Sequence, residues 1–148
     1  MQSYNVLFIY LFIYFIYLFQ DQILSWLCND VTSKEILVVE HSSYPDFPEN
    51  IKFFILSYEM ASKLSSILIN HNFKIVICDE SHYLKNSNAL RTQNILPIVK
   101  QAQRALLLSG TPALSRPFEL FTQLNALNSN AWPESKDFFI RYCKKGKK

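Results

Sequence analysis

Residues 73–86 read FKIVICDESHYLKN, and no other stretch of the chain restricts its fold so tightly. Ile75, Val76, Ile77 and Cys78 form an apolar run without polar alternation. Such runs are strands buried on both faces of a parallel sheet, which places the chain in the α/β class. Asp79 and Glu80 stand where that strand would end. In open α/β sheets, ligands bind at the carboxyl ends of the strands. Alone, two acids after a strand mark a solvated loop more often than a site, and a single His82 is more often a surface histidine than a ligand. A second cluster shifts that balance. Residues 104–112, RALLLSGTP, are another apolar strand that ends in small hydroxyl residues and a glycine.

An apolar strand that delivers Asp-Glu to the sheet edge has the pattern of a Walker B element. There the first acid holds the magnesium shell and the second activates water. The sequence also excludes something. Its only glycines are Gly110 and Gly146, so no phosphate loop of the form GxxxxGK[ST] occurs in it. The balance of 15 basic and 12 acidic residues, a net +3, is too mild to argue for nucleic acid by itself. Cys28, Cys78 and Cys143 have no paired metal spacing and are odd in number, so they read as free thiols of a reducing compartment. No structural metal is expected. The length of 148 residues allows one domain with one core.

Residues 6–19, VLFIYLFIYFIYLF, are apolar and aromatic throughout. The run is shorter than the roughly 20 residues of a membrane-spanning helix. It also lacks the basic region and cleavage site of a secretory signal. The tetrad Ile9-Tyr10-Leu11-Phe12 recurs as Ile16-Tyr17-Leu18-Phe19. All four residue types can be encoded by A and T alone. The run therefore reads as translated AT-rich non-coding sequence, with a membrane anchor as the minority alternative. Having neither a helical stripe nor strand alternation, residues 1–20 are expected to stand off the folded body.

From Asp21 the texture is globular. Ile23, Leu24 and Leu27, with Trp26, predict a short helix. Residues 35–39 predict a strand, residues 41–50 with Pro45 and Pro48 a surface loop, and residues 52–57 a second strand. Met60, Leu64, Ile67 and Leu68 are spaced as one amphipathic helix leading into the Asp-Glu strand, a βαβ unit of right-handed type. Asn88 is the expected cap of a helix reaching about Lys100, which Pro97 should kink or shorten. Residues 105–108 return to the sheet. Pro117 suits the first position of a helix with Glu119 in its first turn and a buried stripe of Leu120, Phe121, Leu124 and Leu127. A last helix from Ser135 should bury Phe138, Phe139 and Tyr142. The Lys-rich end, residues 144–148, is expected to be a solvated tail.

DESHYLKN, followed by LLLSGTPALSRPFELFTQLNAL and then RYC, resembles the SWI/SNF-related DNA-dependent ATPases of helicase superfamily two. The form SGTPALSRPFEL resembles their annealing-helicase branch, which holds the SMARCA-like fork remodeller and its RAN-binding zinc-finger relative. IKFFILSYEMASKL is similar to the family's segment before the Walker B strand. The resemblance implies a partial RecA-like P-loop NTPase lobe over residues 21–145, with a mostly parallel sheet, preceded by the low-complexity segment and followed by the basic tail 146–148. It implies ATP as substrate, magnesium held by Asp79 through water, and Glu80 polarising the attacking water. By the same resemblance His82, Ser109, Gly110 and Thr111 would sense the nucleotide and relay its state to DNA. For Ser109 and Thr111 the competing reading is a simple turn before Pro112. Arg116 marks the branch without an assigned role.

The departures carry equal weight. The family's phosphate loop should lie where the Ile/Tyr/Phe-rich run stands, and its second lobe, with the arginine finger, should follow Lys148. Each of those elements is worth several powers of ten in rate. The expectation is a fragment of a nuclear, fork-remodelling DNA translocase, inactive alone, with DNA forks or strand junctions as partner of the parent. A nucleosome remodeller is the alternative within the family. A non-catalytic truncated product and a membrane-anchored small protein are the alternatives outside it.

Overall fold

The computed structural model describes residues 5–11, 13–43, 47–48, 50–111 and 116–143. Pro45 of the expected loop, the run from Pro112 to Ser115 and the basic tail 144–148 lie outside the described residues. Five parallel strands form one sheet: β1 (Val6–Tyr10), β2 (Ile36–Val39), β3 (Phe53–Ser57), β4 (Ile75–Cys78) and β5 (Arg104–Leu107), in the order β2-β3-β1-β4-β5. The α/β expectation holds.

The sheet's central strand overturns the expectation that residues 1–20 stand off the body. Far from standing off the body, Val6–Tyr10 pairs on both sides, Val6 opposite Phe53 of β3 and opposite Ile75 of β4. All five of its residues are buried, Leu7 and Ile9 completely. The physical reason is the rule that identified β4. A strand with a layer on each face has no use for alternation, so an unbroken apolar run is what such a strand needs. Burying each large side chain of this kind contributes about 1.5–3 kcal/mol. The repeated tetrad is split between two structures. Ile9 and Tyr10 of the first copy close β1, and the second copy lies in helix α1 (Ile13–Trp26), which is longer than the short helix expected around Trp26.

The two layers are distinct. Val6, Phe8 and Tyr10 face α1, whose Phe19 ring sits 4.6 Å from that of Phe8 and 4.9 Å from that of Tyr10. Leu7 and Ile9 face the larger core with Phe54, Leu56, Val76 and Cys78. Helices α2 (Tyr58–Lys63), α3 (Ser65–His71) and α4 (Leu90–Gln101) complete that core. The stripe of Met60, Leu64, Ile67 and Leu68 packs there as predicted, but the single predicted helix is broken at Leu64. Ser57 caps α2, its Oγ accepting from the Met60 amide at 3.2 Å. Asn72 ends α3 in the left-handed region, where asparagine is tolerated. The strands flanking α2 and α3 are parallel but not neighbours, since β1 lies between β3 and β4.

Asn88 does not cap α4. The turn belongs to Asn86, whose Oδ1 accepts from the Asn88 amide at 3.0 Å, and Ala89 occupies the cap. Pro97 does not end the helix before Gln101 either. The carbonyl that loses its donor to proline belongs to Gln93, four residues back, and both residues are exposed to water. After β5, Pro117 opens a 3₁₀ turn (Pro117–Glu119) that runs into α5 (Leu120–Leu127), and α6 (Ser135–Tyr142) follows. Only Phe138 of α6 is buried, while Phe139 and Tyr142 are exposed. Strand β5 forms one edge of the sheet, with Leu106 and Leu108 each nearly half exposed. No helix among the described residues is long and apolar enough to cross a membrane.

Candidate active site

The ladder fixes where the acids fall. The Asp79 amide, one step past β4, donates to the Ile9 carbonyl of β1 at 2.9 Å, and the Leu108 amide donates to the Cys78 carbonyl at 2.9 Å. The Asp79 carbonyl accepts from the Tyr58 hydroxyl at 2.8 Å. The Ser81 amide then donates to the Leu108 carbonyl at 2.8 Å, closing the turn onto the end of β5. Between these anchors Glu80 adopts φ 50° and ψ 45°, the left-handed region. A non-glycine residue held there costs about 1–3 kcal/mol and persists only where its surroundings over-determine it. A 3₁₀ turn, Ser81–Leu84, follows at once.

Four of the predicted residues converge. His82 Nδ1 lies 3.1 Å from Glu80 Oε2 and 3.2 Å from Ser109 Oγ, so the imidazole joins the acidic turn of β4 to the end of β5. Ser109 Oγ also accepts from the Thr111 amide at 3.2 Å. Thr111 and Gly110 are exposed beyond it, and a side chain on Gly110 would meet open space, so no local packing demands glycine there. Asp79 lines a shallow cavity of about 290 Å³ with Tyr10, Leu18, Phe19, Gln22 and Leu108. Burial, and secondarily the charge of Asp79, push the Tyr10 hydroxyl upward, so it is a neutral donor beside the carboxylate. Burial likewise pushes the Cys78 thiol up to about 12, so it takes no part as a thiolate. The Tyr58 hydroxyl is also raised, by desolvation first and then by its neighbours Cys78 and Asp79.

Among the described residues no group of three or more His, Cys, Asp and Glu side chains is placed to hold a metal ion. Two adjacent carboxylates at an open edge suit magnesium, which keeps much of its water shell and takes one or two protein carboxylates together with substrate phosphates. On the other side of the turn, a cleft is lined by His82, Tyr83, Lys85, Asn86 and Arg91. The Arg91 guanidinium lies 4.8 Å from the Tyr83 ring centre, and Tyr83 stacks on Tyr58.

The SNF2-related domain model matches residues 17–145. The chain belongs to the SNF2-related family. It is 40% identical over 131 residues to the human DNA annealing helicase and endonuclease ZRANB3, covering 86% of this chain and 12% of that protein. It is 47% identical over 89 residues to the Xenopus laevis SWI/SNF-related matrix-associated actin-dependent regulator of chromatin subfamily A-like protein 1, covering 60% of this chain and 9% of that protein. The chain thus spans a small part of the curated relatives it matches. The fold of the Sulfolobus solfataricus SWI2/SNF2 ATPase core, solved in complex with dsDNA, superposes with a TM-score of 0.70 at 14% identity, over 95% of this chain and 28% of that one. The resemblance drawn from DESHYLKN and SGTPALSRPFEL is therefore correct, and so is the RecA-like expectation.

Several residues of this SNF2-related site were not legible beforehand. Tyr10 lay inside a run read as non-coding. Tyr58 follows a strand without a motif of its own. The clearest miss is on α5, where the expected buried stripe of Leu120, Phe121, Leu124 and Leu127 is instead partly or largely exposed. The residues buried on that helix are Thr122, Gln123 and Ala126. Thr122 Oγ1 donates to the Lys85 carbonyl at 3.0 Å, and Gln123 Oε1 accepts from Ser81 Oγ at 2.7 Å. Helical spacing cannot announce this, because the surface α5 covers is itself polar.

Proposed function

We propose that the chain is part of the first ATPase lobe of a nuclear, DNA-dependent translocase that rewinds or anneals strands at replication forks during repair. One observation carries this reading: Glu80, His82 and Ser109 meet, directly after Asp79, at the carboxyl ends of adjacent parallel strands in a chain of the SNF2-related family. The description of the human relative as a DNA annealing helicase supports strand annealing as the activity. Asp79 would hold magnesium through water, and bound magnesium would neutralise charge on the phosphates of ATP. Glu80 would accept a proton from the attacking water. His82 and Ser109, with Gly110 and Thr111 beyond them, would register the nucleotide state across the β4–β5 junction. The cleft that Lys85 and Arg91 line offers positive charge to a phosphate backbone, which fits DNA as the partner.

With no GxxxxGK[ST] loop in its sequence, the 148-residue chain alone should hydrolyse no ATP, with or without DNA. The decisive test supplies the phosphate loop and second lobe of a relative and compares Glu80 with Glu80→Gln. Glutamine keeps the shape but cannot take the proton, so turnover should fall about 10²–10⁴-fold while ATP binding is retained. Equal hydrolysis rates would remove Glu80 from this role.

A further inference from the structure

Helix α5 buries its polar side against the acidic turn through two hydrogen bonds, and the 3₁₀ turn before it adds an ion pair. Ser81 Oγ donates to Gln123 Oε1 at 2.7 Å, between side chains that are both more than nine-tenths buried. Thr122 Oγ1 donates to the Lys85 carbonyl at 3.0 Å, and Lys85 Nζ lies 3.5 Å from Glu119 Oε2. The first of these is different in kind. Ser81 sits between Glu80 and His82, directly after the left-handed backbone of Glu80. Its amide is already committed to the Leu108 carbonyl, so the hydroxyl is the donor Ser81 has left to offer.

We infer that Gln123 is a positioning residue, a latch that acts through Ser81 to hold Glu80 in the geometry its role requires. The inference rests on the reading of Glu80 given above. A buried hydroxyl–amide bond is specific in a way an apolar contact is not, because removing one partner leaves the other unsatisfied in a site closed to water. The latch also ties nucleotide chemistry to the helix that follows the SGTP segment. From there the aromatic contacts of Phe118 and Phe121 with Phe138 lead into α6.

The test uses Gln123→Met, which keeps length and volume but loses the acceptor, with Ser81→Ala and the double substitution. On the 148-residue chain, amide hydrogen exchange is followed at low concentration. Gln123→Met should speed exchange at Ser81 by about ten-fold or more and leave β1 and β4 amides unchanged. The double substitution should do no more than Gln123→Met alone, since Ser81→Ala breaks only a bond that Gln123→Met has already removed. Uniformly faster exchange, strictly additive effects or no change would each overturn the latch. In the chain completed by phosphate loop and second lobe, Gln123→Met should lower kcat several-fold at unchanged KM for ATP, alongside Glu80→Gln as control. An inactive Glu80→Gln beside a normal Gln123→Met overturns the positioning role. A normal rate for Glu80→Gln overturns the reading of Glu80 and with it the catalytic consequence, while the exchange data still decide the latch.

Discussion

Glu35 illustrates how one side chain can tie a strand to its neighbourhood. Its carboxylate lies 2.6 Å from Lys52 Nζ and accepts from the Thr32 amide at 2.9 Å and the Thr32 hydroxyl at 3.0 Å. The lysine, then the threonine donors, hold its pKa at about 2 against an ordinary 4.5. The sign follows from linkage. The folded carboxyl resists protonation more than the unfolded one, so its contribution is complete above pH 4.5 and is lost as pH falls towards 2. Glu35→Gln should therefore be less stable than the parent at neutral pH, and the gap should close across that acidic window. Urea midpoints at a series of pH values measure it, and a gap that ignores pH would contradict the assignment. Glu80 shows the opposite kind of residue. Nothing in glutamate favours the left-handed region, so its conformation follows from the anchors at Asp79 and Ser81 and was not legible in the sequence.

Among the elements, β1 separates what the sequence discloses from what only the assembled sheet does. Strands β4 and β5 were legible because motif residues closed them, and the same motifs placed Asp79, Glu80, His82 and Ser109 at one edge. Strand β1 obeys the same physical rule as β4 but carries no motif, and its repeated tetrad looked like noise. Its contribution can be measured. Ile9 is fully buried in the main core, so Ile9→Ala should destabilise the chain by about 2–5 kcal/mol. Leu18, more than half exposed on α1, should change stability by less than about 0.5 kcal/mol on the same substitution. Equal unfolding midpoints for Ile9→Ala and the parent would return residues 1–20 to the status of a passenger. On α5 the lesson runs the other way. A correct helix was assigned the wrong buried face, because periodicity assumes an apolar partner and the acidic turn is polar.

At the scale of the whole molecule, the sheet has an open side along β5. Leu106 and Leu108 point away from the main core and are nearly half exposed, and the strand's outer backbone groups have no partner strand among the described residues. Apolar edges of this type template further pairing. Leu106→Lys should raise the concentration at which the chain begins to scatter light, without shifting its unfolding midpoint. Unchanged scattering would show that association has another source. The sheet order has a consequence for synthesis as well. Val6–Tyr10 is synthesised before both strands that flank it, which come from residues 53–57 and 75–78. At roughly 5–20 residues per second, the apolar run waits several seconds beside the ribosome before its second neighbour exists. The strand that becomes the most enclosed in the native sheet is thus the longest exposed during birth, and a holding chaperone would find its target there.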